Sequence, residues 1–313
     1  MSDTPGAPTW PIVRHADATP DFLAIGHVTR DLLPDSSWRL GGTVAFAALT
    51  AARLGLRPAI VTSAPAEVLA ALDGILPDIP LSIVPTEGAT TFENIYSASG
   101  RQQYLRGCAA PLSIDAVPLA WRGAPIVLLA PIAQEVDANV VTAFPHSLVA
   151  ATPQGWLRQW DGAGRVTPAP LASADALLPH VQALILSRDD VQPPAAAILE
   201  QWSQTVPLVV ETSGAEGAYL WRNGSQSGLF AGYPAHEVDP TGAGDVFAAA
   251  FLCELHATGD ALRAADFANR VAACSVEAPG GEGIPTREML AARWEIADPN
   301  DDEDESEVSR RHS

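Results

Sequence analysis

The segment Asp-Pro-Thr-Gly-Ala-Gly-Asp-Val-Phe-Ala-Ala-Ala-Phe, at positions 239–251, decides the fold assignment of this chain. Thr241-Gly242-Ala243-Gly244 is too small and too rich in glycine for a core strand, whereas the alanine-rich apolar run from Asp245 onward predicts a buried helix. A loop that opens into a helix N-terminus offers unpaired N–H groups and a positive dipole to an anion. The segment therefore predicts a phosphate site with the Asp245 carboxylate beside it, which is the pairing that phosphoryl transfer to a hydroxyl requires.

Asp245 also has a simpler interpretation as a helix cap, because a carboxylate at this position can bond the first N–H groups. Capping alone does not explain two glycines that flank an alanine immediately before it. A dinucleotide-binding fingerprint is a poor alternative, since Phe247 stands where the third glycine belongs and no acidic residue ends a strand about 20 residues further on. The phosphate site beside a base remains the better interpretation.

The overall charge and the choice of basic residue exclude several function classes. The 313 residues carry a formal net charge of −19, and all 18 basic residues are arginine. Clustered positive charge is needed for nucleic acids and anionic membranes, so neither is expected as a partner. The absence of lysine excludes a Walker A loop, a protein-kinase site, and Schiff-base and pyridoxal-phosphate enzymes.

No apolar run approaches the roughly 18 residues that cross a bilayer, and the N-terminus lacks the pattern of a signal peptide. We therefore expect a soluble, cytoplasmic protein. Its three cysteines lie far apart without a Cys-x-x-Cys spacing, so neither a disulfide nor a zinc site is expected.

The chain divides into one domain with two irregular ends. Residues 1–20 lack periodicity and are predicted to be an irregular N-terminal extension. Residues 297–313 contain seven acidic side chains and are predicted to be a disordered acidic tail. Residues 21–296 form the predicted domain.

Within that domain, short apolar runs alternate with helical patterns, which is typical of a mainly parallel sheet flanked by helices. The predicted strands are 22–25, 59–62, 126–129, 147–150, 183–186 and 208–210, and the predicted helices are 44–54, 66–72, 192–204, 260–278 and 287–295. Polar and apolar residues instead alternate at 81–84, 90–96 and 101–105, which favours an antiparallel hairpin with one exposed face. A small sheet that interrupts an α/β core is a candidate lid.

Two upstream features point to a ligand. The first strand, Phe22–Ile25, is followed by Thr29 and Asp31, and ligands of open α/β sheets bind at the carboxyl ends of strands. Asp31 is therefore either a substrate carboxylate or a turn-stabilising side chain. The pair Gly41-Gly42, before an alanine-rich helix, offers a second place where a ligand can approach the backbone closely.

Taken together, these residues resemble a known family. The segment 239–245 with Phe247 resembles the C-terminal signature of the ribokinase-like, or PfkB, family of carbohydrate kinases, and Gly41-Gly42 is similar to its N-terminal signature. The resemblance covers about residues 21–296, and further motifs follow in family order: Gly26 with Asp31, Thr212-Ser213-Gly214 with Gly217, and Asn269. It implies a doubly wound sheet, a small β-sheet lid from about 29–43 and 84–110, and Mg²⁺- and ATP-dependent phosphorylation of a hydroxyl.

The resemblance also implies roles for individual residues. Asp245 would be the base, and the N–H groups of Gly242, Ala243 and Gly244 would form the anion hole. The acceptor would be held by Asp31, Gly41, Gly42, Thr29 and Arg158, although Arg158 could equally be a solvated arginine. The nucleotide would be bordered by Ser187, Thr212, Gly214, Gly217 and Asn269. Asp190 would be linked to Mg²⁺, and Asp239 would help to bind a monovalent cation such as K⁺, as in some members.

The chain also departs from the family pattern in ways that bear on the acceptor. Thr43 and Phe46 stand where ribokinase has lysine and asparagine, which disfavours ribose, and Ser187-Arg188-Asp189-Asp190 replaces the frequent Asn-x-x-Glu. Residues 90–96, 154–158 and 187–190 are more similar to the myo-inositol kinase branch. A cyclic polyol is therefore the leading acceptor, ahead of a sugar or nucleoside. A nucleoside kinase and a non-catalytic sugar- or nucleotide-binding protein are the alternatives, and a homodimer through the lid edge remains open.

Overall fold

The computed structural model describes residues 11–15, 18–97 and 100–294. Strands β1–β16 occupy Ile12–Arg14, Phe22–Ile25, Thr29–Leu32, Trp38–Gly41, Pro58–Thr62, Leu81–Ile83, Thr91–Ser97, Gly100–Gly107, Ile126–Leu129, Leu148–Ala151, Arg158–Trp160, Val166–Pro168, Ala183–Ser187, Leu208–Thr212, Gly217–Arg222 and Ser225–Ala231. Helices α1–α7 occupy Thr43–Arg53, Ala66–Ile75, Ala174–Leu177, Ala195–Trp202, Ala243–Thr258, Ala261–Ser275 and Arg287–Trp294.

Most strands belong to one large sheet. Among the described residues its order is β1-β6-β5-β2-β9-β10-β13-β14-β15-β16. Pairing is parallel from β6 to β14 and antiparallel at both ends, where β1 joins β6 and the β15–β16 hairpin joins β14. The mainly parallel sheet predicted from the alternating pattern is confirmed.

Both faces of this sheet are covered, which explains why its strands are continuous apolar runs. Successive side chains of a strand point to opposite faces. Phe22 and Ala24 of β2 therefore enter the core that also holds the buried faces of α1, α2, α5 and α6, whereas Leu23 and Ile25 enter the core against the opposite layer, which includes α4. The doubly wound fold flanked by helices follows from this two-sided burial.

A separate small sheet has the order β4-β3-β7-β8. Its β3–β4 and β7–β8 pairs are antiparallel, and β3 and β7 are parallel. These strands fall within the ranges predicted for the lid, 29–43 and 84–110.

Two predicted features differ in the structure. The alternation at 81–84 was grouped with the hairpin, but Leu81–Ile83 is β6 of the large sheet, and all three of its residues are buried. Its polar member, Ser82, is satisfied internally because its hydroxyl donates to the Ala116 carbonyl at 2.7 Å. Ile12–Arg14, within the predicted irregular extension, pairs with β6 through its backbone while its side chains stay exposed, so no apolar pattern marked it. Residues 1–10 and the predicted acidic tail, 297–313, lie outside the described residues.

The strand order also locates a crevice. The chain runs from β2 outward to β5 and β6, then returns to β9 beside β2 and continues the other way. Ligands of open α/β sheets bind outside the carboxyl ends of strands at such a reversal. There a Cβ on Gly26 would lie 2.2 Å from the Ala130 carbonyl oxygen, so only glycine lets the two strand ends approach this closely. None of the helices in the described ranges is long and apolar enough to cross a membrane.

Candidate active site

The two glycine motifs meet at this crevice. Gly42 precedes α1 with φ 96°, and Gly242 precedes α5 with φ 80°. Phe46 of α1 packs against the second motif, because a Cβ on Gly242 would lie 2.6 Å from its ring. The Thr43 hydroxyl, in the first turn of α1, neighbours the Asp245 carboxyl in the first turn of α5. Two segments distant in sequence therefore form one site.

The first turn of α5 forms the cradle that the sequence predicts for an anion. A Cβ on Gly244 would meet no atom within 4 Å, so the space above this residue is open. The Ala243 N–H donates to the Pro240 carbonyl at 3.2 Å and is engaged within the loop. Within the described chain, the N–H groups of Gly242, Gly244 and Asp245 have no protein acceptor. The donors available to an anion are therefore those flanking Ala243 rather than Ala243 itself.

Asp245 has an environment suited to a base. Burial raises its pKa to about 6, and the hydrogen bond with the Thr43 hydroxyl opposes that shift. The negative charges of Asp190 and Asp31 raise the pKa further, whereas the positive charge of Arg158 lowers it. The residue keeps partial solvent exposure at the crevice. A carboxyl with this pKa is ionised at neutral pH and still has appreciable affinity for a proton, which a general base needs.

A cleft of about 470 Å³ opens beside the cradle. It brings together Ala243 and Gly244 with four of the residues predicted to border a nucleotide: Thr212, Gly214, Gly217 and Asn269. The other side of the cleft is apolar and includes Phe247, Ala272, Ala273 and Val276.

Glycine and asparagine shape this cleft through backbone contacts. Gly217 has φ 109°, and a Cβ there would lie 2.0 Å from the Phe230 carbonyl oxygen. The buried Asn269 amide donates to the carbonyls of Phe230 at 2.9 Å and Ala231 at 3.3 Å. Asn269 therefore holds the end of β16 at the cleft, a structural role in addition to the predicted one.

The small sheet supplies the opposite wall of the crevice. Thr29 pairs with Gly41, and Asp31 pairs with Arg39, across β3 and β4. A Cβ on Gly41 would lie 2.8 Å from both the Asp31 carboxylate and the Thr29 hydroxyl. The absence of a side chain at Gly41 thus leaves room for these two polar groups, which the sequence assigned to the acceptor.

A second cavity, of about 420 Å³, is polar and contains Arg158, Ser187 and Asp190. The Asp190 carboxylate accepts hydrogen bonds from the Gln154 amide and from the Ser187 N–H, both at 3.0 Å. Ser187, predicted beside the nucleotide, lines this second cavity and is also the cross-strand partner of Thr212 in the first cleft. Ser187 ends β13 and caps the short 3₁₀ turn that carries Asp190.

Asp239, predicted to help bind a monovalent cation, is held by hydrogen-bond donors in the structure. Its carboxylate accepts the Thr241 N–H at 3.0 Å, the Gly280 N–H at 3.3 Å and the Arg39 guanidinium at 3.2 Å. These three contacts are hydrogen-bond donors and add no oxygen ligand for a cation. Among the described residues, no group of three or more His, Cys, Asp or Glu side chains could hold a metal ion. Mg²⁺ bound through phosphates needs only one or two carboxylates, so Asp190 remains compatible with it.

Sequence reasoning missed Arg39 and the part that Gln154 plays. Arg39 lies two residues before Gly41 on the same strand, so the two share one face of the small sheet. The two-residue spacing between Arg39 and Gly41 could therefore have identified Arg39 as a site residue from the sequence. Gln154 follows β10 and reaches Asp190 on the 3₁₀ turn after the neighbouring strand β13, a contact that no local pattern encodes.

Comparison with known proteins agrees with this geometry. Residues 167–287 match the family described as pfkB family carbohydrate kinase. A cytidine kinase from Thermococcus kodakarensis is 27% identical over 255 residues, which is 74% of this chain and 87% of the relative. A ribokinase from Bacillus subtilis is 43% identical over 77 residues, which is 24% of this chain and 26% of the relative.

Solved structures share the fold over almost the whole chain. A pyrophosphate-dependent kinase in the ribokinase family, complexed with a pyrophosphate analog and myo-inositol, has a TM-score of 0.72 at 19% identity and covers 87% of this chain and 99% of its own. Arabidopsis thaliana ribokinase complexed with ribose and ATP has a TM-score of 0.69 at 19% identity, covering 89% and 100%. A fructokinase double mutant from Vibrio cholerae O395, bound to fructose, ADP and potassium ion, has a TM-score of 0.66 at 19% identity, covering 88% and 99%.

The glycine cradle beside Asp245, the doubly wound sheet with its small companion sheet, and the matched family segment lead to one assignment. The match of residues 167–287 to pfkB family carbohydrate kinases, the sequence similarity to two kinases and the shared ribokinase fold support a ribokinase-like PfkB kinase with a hydroxyl group as acceptor.

Proposed function

We propose that this protein transfers the γ-phosphoryl group of ATP to a hydroxyl of a small sugar or cyclic polyol, with a myo-inositol-like compound as the leading acceptor. One observation carries the proposal. Asp245, with a pKa of about 6, lies between a cleft that ends at Gly244 and a polar surface whose charges include Asp31 and Arg158. A donor and an acceptor bound on these two sides would meet at the Asp245 carboxylate.

The shape of the cleft supports a nucleotide as donor. Beyond Gly244 the wall is formed by Phe247, Ala272, Ala273 and Val276, which is the apolar surface that a purine ring needs. Pyrophosphate, the donor of one structural neighbour, would use the cradle and leave this wall without a ligand. Because the chain has no lysine, the phosphate charges would be met by N–H groups of the α5 first turn.

The proposed reaction needs one proton acceptor and one anion hole. Asp245 takes the proton of the acceptor hydroxyl, whose oxygen bonds to the γ-phosphorus as the bond to the β,γ-bridging oxygen breaks. The bridging oxygen leaves on ADP with the electron pair. The N–H groups of Gly242 and Gly244 stabilise the charge on the transferred group, and Asp245 later returns its proton to solvent. Bound Mg²⁺ would supply further positive charge at the phosphates, and Asp190 would be the carboxylate linked to it.

The polar groups around Asp245 support an acceptor dense in hydroxyls. Asp31 can accept hydrogen bonds from two neighbouring hydroxyl groups, and Arg158 and Gln154 offer donors from the 420 Å³ cavity. A nucleoside is the second candidate. The same cavity contains Gln102 and Gln103, whose amides could pair with a base edge, and a cytidine kinase shares 27% identity with this chain.

A screen of donors against acceptors tests the proposal. Release of ADP or phosphate is measured with Mg²⁺ and either ATP or pyrophosphate, against inositols, pentoses, hexoses and nucleosides, with Asp245→Asn as the control. We expect ATP to support turnover, and an inositol to give the highest kcat/KM. Stimulation by no acceptor would favour the non-catalytic binding protein, and higher kcat/KM with pyrophosphate than with ATP would contradict the donor assignment.

A further inference from the structure

Arg39 links the small sheet to the loop that carries the anion cradle. It lies on β4, and its Nη1 is 3.2 Å from Asp239 Oδ2 while its Nη2 is 2.8 Å from Thr241 Oγ. Asp239 and Thr241 directly precede Gly242. One guanidinium therefore contacts two side chains of the loop that positions the first turn of α5.

Asp239 uses both carboxylate oxygens in this arrangement. Oδ1 accepts the Thr241 N–H at 3.0 Å, and Oδ2 accepts the Gly280 N–H at 3.3 Å besides Arg39. Its side chain is only 16% exposed. Burial alone would raise the pKa of Asp239, but the bonds from Thr241 and Gly280 and the charge of Arg39 outweigh burial and lower it. Asp239 is therefore held as an ion, with its charge balanced by Arg39.

The same contacts exclude a second cation at this carboxylate. Three donors already use most of the lone-pair positions of this carboxylate, and a bound monovalent ion would lie beside the guanidinium, which carries the same charge. Arginine stays charged at every accessible pH, so the positive charge of this partly exposed side chain is permanent.

We propose that Arg39 is a positioning residue that takes the place of a monovalent cation: it neutralises Asp239 and fixes the loop before Gly242, so the kinase works without K⁺. The proposal rests on the proposed kinase activity and adds its ion requirement. It also makes the cradle depend on the small sheet, because the residue that fixes the cradle belongs to β4.

The first test needs no variant. Turnover and the thermal unfolding midpoint of the wild-type protein are measured in KCl, NaCl and N-methylglucamine chloride at matched ionic strength, which keeps screening constant. We expect kcat to differ by less than about twofold between these salts, since K⁺ has no site to fill. A rise of about tenfold in KCl over both other salts would overturn the proposal.

The second test uses Arg39→Ala, Arg39→Lys and, as a matched control, Arg30→Ala. Arg30 lies on β3 of the same sheet and pairs with Glu67 at 3.4 Å, away from the cradle loop. We expect Arg39→Ala to lower kcat by about 10–100-fold, as misplacement of catalytic groups does, with little change in the acceptor KM. Arg39→Lys should recover part of kcat because it restores the charge but only one contact. Arg30→Ala should keep the wild-type kcat.

A binding readout separates this proposal from the proposed function. Removing Arg39 exposes oxygens of Asp239 and Thr241, so the unfolding midpoint of Arg39→Ala should rise in KCl relative to N-methylglucamine chloride, while that of the wild type should not. This difference in K⁺ stabilisation between the two proteins is expected even if no acceptor supports turnover. Wild-type kcat in Arg39→Ala, or equal K⁺ stabilisation of both proteins, would contradict the role of Arg39.

Discussion

Replacing Asp245 by asparagine removes the proposed base while nearly preserving the shape of the side chain. Asparagine cannot take the proton of the acceptor hydroxyl, so turnover should fall by about 10²–10⁴-fold, the contribution typical of a positioned general base. Donor affinity should change little, since the cradle N–H groups of Gly242 and Gly244 belong to the backbone and stay in place.

The same substitution should make the protein more stable at neutral and alkaline pH. The folded-state pKa of Asp245 is raised from 3.8 to about 6, so the folded protein binds this proton more tightly than the unfolded chain does. That contribution to the free energy of unfolding is complete below about pH 4 and is lost as the pH rises from about 4 through 6. A shift of about two pH units corresponds to about 3 kcal/mol, and partial exposure of the side chain reduces this to about 1–2 kcal/mol.

We therefore expect the unfolding midpoint of Asp245→Asn at pH 8 to exceed that of the wild type by about 2–4 °C, and the difference to vanish near pH 4. Asp239→Asn is the matched control from the same loop. Its wild-type pKa is lowered, so the ionised form stabilises the fold and its loss should reduce the midpoint at pH 8. Calorimetry and steady-state turnover check both effects. Near-normal turnover in Asp245→Asn, or a lower midpoint at pH 8, would refute the assignment.

Three further outcomes are expected. The wild-type kcat/KM should fall about tenfold per pH unit below pH 6 as Asp245 becomes protonated, and a flat pH–rate profile would contradict this. Gly244→Ala should fold normally, because its Cβ meets no atom within 4 Å, yet it should raise the donor KM because the new methyl group occupies the open cradle. Gly242→Ala should instead destabilise the fold, because its Cβ would meet the Phe46 ring. Ala272→Leu should raise the KM for ATP by narrowing the apolar wall of the cleft without changing the acceptor KM, and unchanged ATP kinetics would show that the wall is not used.

Most of the large sheet could be predicted from sequence because burial on both faces leaves a local signature. Runs such as Phe22–Ile25 and Ile126–Leu129 are apolar throughout, and each falls on a strand of the structure. The failures have a common cause. Ser82 looks solvent-facing in an alternating pattern, but a bond to the distant Ala116 carbonyl satisfies it in the core. Strand β1 is held by backbone pairing and an exposed ion pair between Arg14 and Asp73, neither of which leaves an apolar pattern.

The candidate site shows the same division. Glycines at 41–42 and 242–244 could be recognised because turns and close approaches leave few alternatives to glycine. The hydrogen bonds from Gln154 and Ser187 to Asp190 could not be recognised, because they depend on how the chain segments after β10 and β13 meet. The pairing of Asp239 with Arg39 could not be recognised either, since Arg39 lies on β4, 200 residues away in the sequence.

The amino-acid sequence by itself determined the α/β alternation, the glycine cradle at the start of α5 and the carboxylate beside it. These depend on backbone preferences and burial patterns that act within a few residues. Only the tertiary structure decided that Asp245 has a pKa of about 6 and that a guanidinium neutralises Asp239. Desolvation and charge pairing depend on which distant side chains the packing brings within a few ångströms, and no short stretch of sequence contains that information.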